Sequence, residues 1–438
     1  MSIKFPKILI ISHNALSESS ANGRTLASLV SSWNTEKISQ FYVNNELPDF
    51  KYCFNYFRIS DSDLIKNFLF NKHYVGEIKN ENIKAKYSDL KDRKNWNYSK
   101  LKKYFSSFLY LAREGLWDSK WNNKNLLNWI DSIEPDIVLL QPGDYAFLYK
   151  MTLWVSDFKE IPYIIYNSED YFLKKRNTIS PLYHIYSLYY KKIVKNCFKN
   201  ASHIIYSNDF LMENMTKQIQ RPSSVILTSS NLEKSIASKS KSKLKISYTG
   251  NLGHERWKSL IEIGKALKTI DSSLEIEVYS GFLPQEAKKH FITENGINFC
   301  GAVSYEKVKE VIQESDIVLH VEGFSEFTKW DIKHGFSTKI ADLLSSGKCF
   351  LMYGPKEIAC VDYLIKNQAA WVATNKDELK EVLNKLVGSE EARKKFLDNA
   401  EELVEERHNK EKNAQKFEEI IRSVCKVSKS TENESITN

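Results

Sequence analysis

The chain has 438 residues, 42% of them hydrophobic and 27% charged, and carries a formal net charge of +8. That length exceeds one ordinary core and predicts two domains of about 200 residues each, and the composition excludes a disordered chain. No stretch reaches the ~18 uncharged apolar residues of a membrane span; Cys53, Cys197, Cys300, Cys349, Cys360 and Cys425 show no CxxC pair, which argues against structural zinc or a disulfide framework.

The opening MSIKFPKILIISHN runs from a short basic start straight into a strand of buried type, without the apolar region and cleavage site of a signal peptide. A cytoplasmic location is therefore expected. Through Leu232 there are 31 Lys and Arg against 22 Asp and Glu, whereas the remainder has 32 against 33. A basic first half fits an anionic partner such as a lipid surface or a phosphorylated acceptor, although lysine-rich faces that only confer solubility would give the same count. It contains no recognisable motif for reading nucleic acid.

Short apolar runs alternate with helical patterns from end to end, which predicts an α/β protein with parallel sheets and crossover helices. In the first half the clear strands are Lys7–Ser12, Ile137–Gln141, Tyr163–Tyr166 and His203–Ser207. Between them, Leu101 to Ile130 reads as one or two amphipathic helices rich in aromatic residues. The segment LKKRNTISPLYHIYSLYYKKIVKNCFKN then mixes seven Lys and Arg with many rings. That mixture suits a membrane interface with anionic lipid, and a buried helix pair with solvated lysines is the competing expectation.

Residues 1–232 are thus expected to form one domain. Residues 233–243, EKSIASKSKSK, are too polar to bury a core and read as a linker. A second α/β domain is expected over 244–405, with strands at Lys245–Tyr248, Leu274–Tyr279, Ile317–Val321 and Cys349–Tyr353. Its helices should begin near Lys258, Ser304, Thr338, Lys376 and Ser389. Residues 406–425 read as a closing amphipathic helix with Phe417, Ile420 and Ile421 on one side, expected to pack back on the first domain. Residues 426–438 read as a disordered tail.

Two constellations carry chemistry. In the first, strand KISYTG enters the turn Gly250-Asn251-Leu252-Gly253-His254-Glu255, and a helix follows at Arg256-Trp257-Lys258. Unpaired N–H groups at a helix start welcome an anion; Gly250 and Gly253 allow close backbone approach, and Arg256 and Lys258 add charge. An ordinary strand-to-helix turn carrying two cations is the plainer alternative. In the second, Ser337 or Thr338 can cap a helix whose first turn holds Lys339, an unusual place for a cation unless an anion offsets it. Asp342 lies one turn on, where a carboxylate can accept two hydrogen bonds from a ribose diol; a simple Lys339–Asp342 surface pair would need no ligand.

These two stretches, SYTGNLGHERWKSLIEIGKAL and DIVLHVEGF followed by FSTKIADLLSSGKCFLMYGP, resemble the C-terminal domain of GT-B glycosyltransferases, in particular the retaining glycosyltransferase family 4. The resemblance covers most of 244–385, and the first domain matches only in outline. It implies two Rossmann-like β/α/β domains facing a central cleft. It also implies transfer of a sugar from a nucleoside diphosphate sugar to a hydroxyl of a cell-surface polysaccharide or a lipid-linked glycan. Gly250, Asn251 and Gly253 would line the diphosphate, Arg256 or Lys258 would neutralise it, Lys339 would contact the leaving phosphate and Asp342 would hold the ribose.

The family has two glutamates eight residues apart; here the second is Asp342 and the position eight before it is His334, so Glu322, directly after a strand, is expected to face the donor sugar. In the first domain Gly23 and Arg24 become candidates for contact with acceptor or donor phosphate, and Glu169 or Asp170 for orienting the acceptor hydroxyl. No metal or other cofactor is expected, since protein cations can serve the departing diphosphate. A GT-B nucleotide-sugar epimerase and an inactive nucleotide-sugar-binding protein are the alternatives.

Overall fold

The computed structural model describes residues 5–17, 21–44, 46–50, 52–53, 55–70, 76–79, 98–118, 121–174, 180–230, 232 and 244–436. The chain divides into two compact units, Met1–Ile226 with Ala414–Asn438, and Leu227–Asn413.

In the first unit the strands are β1 (Ile8–Ser12), β2 (Ile38–Tyr42), β3 (Asn55–Arg58), β4 (Gly76–Lys79), β5 (Ile137–Leu140), β6 (Tyr163–Asn167), β7 (His203–Tyr206) and β8 (Ser223–Val225). They form one sheet in the order β4-β3-β2-β1-β5-β6-β7-β8, parallel except for β3 with β4. The helices are α1 (Ala21–Val30), α2 (Asp61–Phe70), α3 (Tyr98–Asp118), α4 (Lys124–Ile133), α5 (Ala146–Lys159), α6 (Pro181–Asn200) and α7 (Asp209–Thr216). β2, β3, β4 and β8 are additions to the strands read from sequence. β2 escapes notice because Ser39 and Gln40 interrupt its apolar run, yet Gln40 is wholly buried. Its amide accepts from Leu16 N and donates to Ser12 Oγ, so the polar group is satisfied inside the core.

The second unit holds β9 (Ile246–Thr249), β10 (Ile276–Tyr279), β11 (Ile297–Gly301), β12 (Ile317–Val321), β13 (Cys349–Tyr353) and β14 (Trp371–Ala373). Their order, β11-β10-β9-β12-β13-β14, is all parallel. In chain order this is 3-2-1-4-5-6, the doubly wound arrangement in which connections diverge between β9 and β12 and open a crevice beyond their carboxyl ends. The helices are α8 (Arg256–Ile270), α9 (Tyr305–Glu314), α10 (Glu326–Ile332), α11 (Lys339–Ser345), α12 (Ala359–Asn367), α13 (Lys376–Gly388), α14 (Glu390–Lys394) and α15 (Leu397–Leu403). Ser304, Asn375 and Ser389 cap α9, α13 and α14 through their side chains.

The last helix, α16 (Lys410–Ile436), buries Phe417 and Ile421 in the first unit's core beside Ile8, Trp33 and Ile226. It corrects the expectation of a disordered tail, since its backbone stays helical through Ile436. No Gly or Pro interrupts 410–436, so nothing in the chain forces the helix to stop. The boundary also lies at 226/227 rather than after Leu232, because the chain there is tied to the second unit. His408 Nδ1 lies 2.8 Å from Thr228 O, and Asn413 Nδ2 donates to Leu227 O at 2.9 Å. The linker read at 233–243 lies outside the described residues.

Candidate active site

The turn after β9 is built around Tyr248, whose ring is wholly buried and whose hydroxyl donates to Asn251 O at 2.7 Å. Asn251 Oδ1 accepts from Gly253 N at 2.6 Å and closes a side-chain turn. A Cβ on Gly250 would lie 2.3 Å from Lys339 Nζ and 2.9 Å from Tyr248 Oη. The absence of a side chain at Gly250 leaves room for a lysine ammonium from a helix start 89 positions on. Gly250 and Lys339, the centres of the two sequence motifs, meet at the switch point of one sheet.

His254 and Glu255 both adopt left-handed conformations, with φ of 52° and 58°. Two consecutive non-glycine residues there store strain, which the loop after β12 holds in place. Gly323 lets His254 O approach to 2.3 Å of where a Cβ would stand, and Thr328 Oγ1 donates to the same carbonyl at 3.4 Å. Glu255 also bonds Ser325.

The structure places Arg256 against Glu322. Arg256 Nε and Nη2 donate to Glu322 Oε2 and Oε1 at 2.8 and 3.0 Å, a bidentate pair in which the carboxylate is almost completely enclosed. His320 Nε2 lies 3.1 Å from Glu322 Oε1, and Ser259 Oγ donates to Glu322 O at 2.7 Å. Burial alone would raise the Glu322 pKa, but the Arg256 charge and the His320 contact hold it down at about 2. Burial lowers the pKa of His320, against the raising influence of Glu322. Cys360 Sγ completes a group whose ligand-type atoms lie within 4.8 Å of one another. The cation paired with the Glu322 carboxylate is Arg256.

The other expected residues divide. Lys258 is exposed and pairs with Glu255. Thr338 makes no side-chain cap, because its own backbone is already helical; Ser337 Oγ reaches Lys339 N only at 3.4 Å. Asp342 is buried, and its Oδ1 accepts from Ser230 Oγ at 2.7 Å, a partner 112 residues away. Sequence reasoning missed Tyr248, His320, Ser230 and Cys360. A histidine inside the apolar run IVLHV, two residues before Glu322 and hence on the same face of the strand, was the available signal for His320.

In the first unit Gly23 is fixed by close packing, since a Cβ would lie 2.5 Å from Ala15 O. The side chain of Arg24 lies outside the described residues. Asp170 Oδ1 accepts from Phe172 N and Leu173 N at 3.1 and 2.6 Å, so this buried carboxylate caps the turn that follows β6. Glu169 is exposed. A cluster that sequence did not bring together lies by the carboxyl end of β1. Arg113 Nε donates to Asp61 Oδ1 at 2.8 Å, its guanidinium lies 3.7 Å from the Tyr145 ring centre, and Nη2 lies 3.3 Å from His13 Nε2. Burial, reinforced by Arg113, lowers the His13 pKa to about 4. Next to Arg113, Glu114 Oε1 accepts from Ala146 N at 2.5 Å, and burial pushes its carboxyl up to about 7.

Comparison with known proteins agrees with this architecture. Residues 243–419 match the family described as Glycosyl transferase-like. An uncharacterized glycosyltransferase of Methanocaldococcus jannaschii is 26% identical over 259 residues, covering 53% of this chain and 61% of that protein's length. Among solved structures, HepE from Anabaena in complex with UDP superposes with a TM-score of 0.60 at 13% identity, covering 95% of this chain and all of that one. Sucrose-phosphate synthase from Thermosynechococcus elongatus gives 0.57 at 11% identity, covering 95% and 98%. The chain shares the α/β fold of these GT-B structures, and the family match falls largely on its second unit.

Proposed function

We propose that this protein transfers a hexosyl unit, with retention of configuration, from a nucleoside diphosphate sugar to a hydroxyl of a cell-surface polysaccharide or a lipid-linked glycan. The observation that carries the reading is the seating of Lys339 Nζ on the Gly250 turn, beside the amino end of α8. An ammonium held there by the fold meets the departing diphosphate with little reorganisation, and losing such a preorganised contact commonly costs about 100–1000-fold in rate. In this reading Asn251 and Gly253 of that turn, with Ser337 and Thr338 just before Lys339, contact the diphosphate, and Asp342 holds the ribose in competition with Ser230. Lys258 adds charge from the surface. No metal is required in this reading, since Lys339 and the helix-start N–H groups supply the positive potential.

Glu322 acts here by fixing Arg256 and through it the start of α8, since both of its oxygens are already engaged. Acceptor recognition falls to the first unit, through the Gly23–Arg24 segment and the Glu169–Asp170 turn. Solved relatives of this fold that carry UDP and UDP-glucose support a uridine nucleotide as the first donor to try. A thermal-shift screen of nucleoside diphosphates and their sugars tests the proposal. Stabilisation by about 2–4 kcal/mol at saturating ligand is expected for the true donor, and no response to any of them would overturn it.

A further inference from the structure

We infer that the outer face of α6 is a docking surface for an anionic lipid bilayer. The helix Pro181–Asn200 buries Tyr186, Tyr190, Val194, Cys197 and Phe198 against the first unit. Its opposite stripe exposes Leu182 by 44%, Ile185 by 59% and Leu188 by 74%. These three recur every third residue and so project along one side of the helix. No other helix among the described residues exposes three large apolar side chains.

What covers this stripe is decided by charge. All 20 residues of α6 lack a carboxylate, while Lys191, Lys192, Lys195 and Lys199 follow the apolar half. Lys192, Lys195 and Lys199 are exposed and form no ion pair with another described residue. A second copy packed through the same stripe would set these lysines against their own counterparts, and an apolar protein groove would desolvate them. An anionic membrane surface meets both demands: its acyl boundary receives Leu182, Ile185 and Leu188, and its headgroups receive the lysines. No helix among the described residues is long and apolar enough to cross a membrane, so the contact is peripheral. This inference does not depend on the donor chemistry.

The test is co-flotation of the intact chain with phosphatidylcholine vesicles, with and without about one quarter phosphatidylglycerol. The chain is expected to float with the anionic vesicles at low salt and to be released at high salt. Each lysine near such a surface is worth about fivefold in partition, so Lys192→Glu/Lys195→Glu/Lys199→Glu should bind at least ~100-fold more weakly. Ile185→Glu/Leu188→Glu should lose at least ~10-fold, with an unchanged melting temperature. Failure of the unaltered chain to float with anionic vesicles at low salt overturns the inference, as does undiminished flotation of the Ile185→Glu/Leu188→Glu variant. A dimer in solution that this variant converts to monomer, with no flotation in either, identifies a second copy as the occupant and overturns it equally.

Discussion

Arg256 grips both oxygens of Glu322, at 2.8 and 3.0 Å, across 66 residues of sequence and inside a core that all but excludes water from the carboxylate. The pair ties the first turn of α8 to the end of β12, the two elements that border the switch point. Removing one partner of such a buried pair leaves an uncompensated charge, which typically costs about 3–5 kcal/mol. Arg256→Ala should therefore destabilise the second unit by about that amount in urea denaturation, whereas the double replacement Arg256→Met/Glu322→Leu should recover much of the loss.

The same pair fixes an acid response. The Glu322 pKa is about 2 in the fold against an ordinary 4.5, so its contribution is fully present above pH 4.5 and is lost as pH falls toward 2. Unfolding followed by circular dichroism should show a steeper loss of stability over that window in the native chain than in Glu322→Gln.

Glu114 should behave in the opposite sense. Its folded pKa of about 7 lies above the ordinary 4.5, so the neutral carboxyl is tolerated below pH 4.5 and the fold is progressively penalised as pH rises through 7. Glu114→Gln keeps an acceptor for Ala146 N without the charge. It should stabilise the first unit by up to about 3 kcal/mol at pH 8 and leave it nearly unchanged at pH 4.5.

His408 links Thr228 to Tyr363 inside the second unit, with Nε2 2.9 Å from the Tyr363 hydroxyl. Burial lowers its pKa from 6.5 to about 4, so stability present above pH 6.5 should be lost as pH falls through that interval. His408→Gln should flatten this part of the profile, at the cost of lower stability at pH 7.

Much of the second unit was legible in the chain. The candidate site is marked in sequence by Gly250 and Gly253 in the turn after a strand and by Lys339, a cation unusual at a helix start. What remained hidden depends on distant pairing: Arg256 with Glu322, Asp342 with Ser230, and Arg113 with Asp61 all join residues more than 50 positions apart. Local pattern carries no record of such contacts. Glu322 consequently reads as a free carboxylate in sequence and stands as an enclosed one in the fold. The first unit's β2 and β3 were obscured for a related reason, since buried polar residues such as Gln40 look like surface until their partners are known.

Gly250→Ala would place a methyl group 2.3 Å from Lys339 Nζ and push the ammonium off the turn. It should weaken UDP binding by at least about tenfold with little change in stability, as judged by calorimetric titration and melting of the same samples.

Calorimetric titration of UDP into the native chain and into Lys339→Met tests the central claim most directly. The account predicts measurable binding to the native protein and a loss of about 1.5–3 kcal/mol in the variant, the worth of a charge-assisted contact to phosphate. Equal affinity in the two proteins would contradict it.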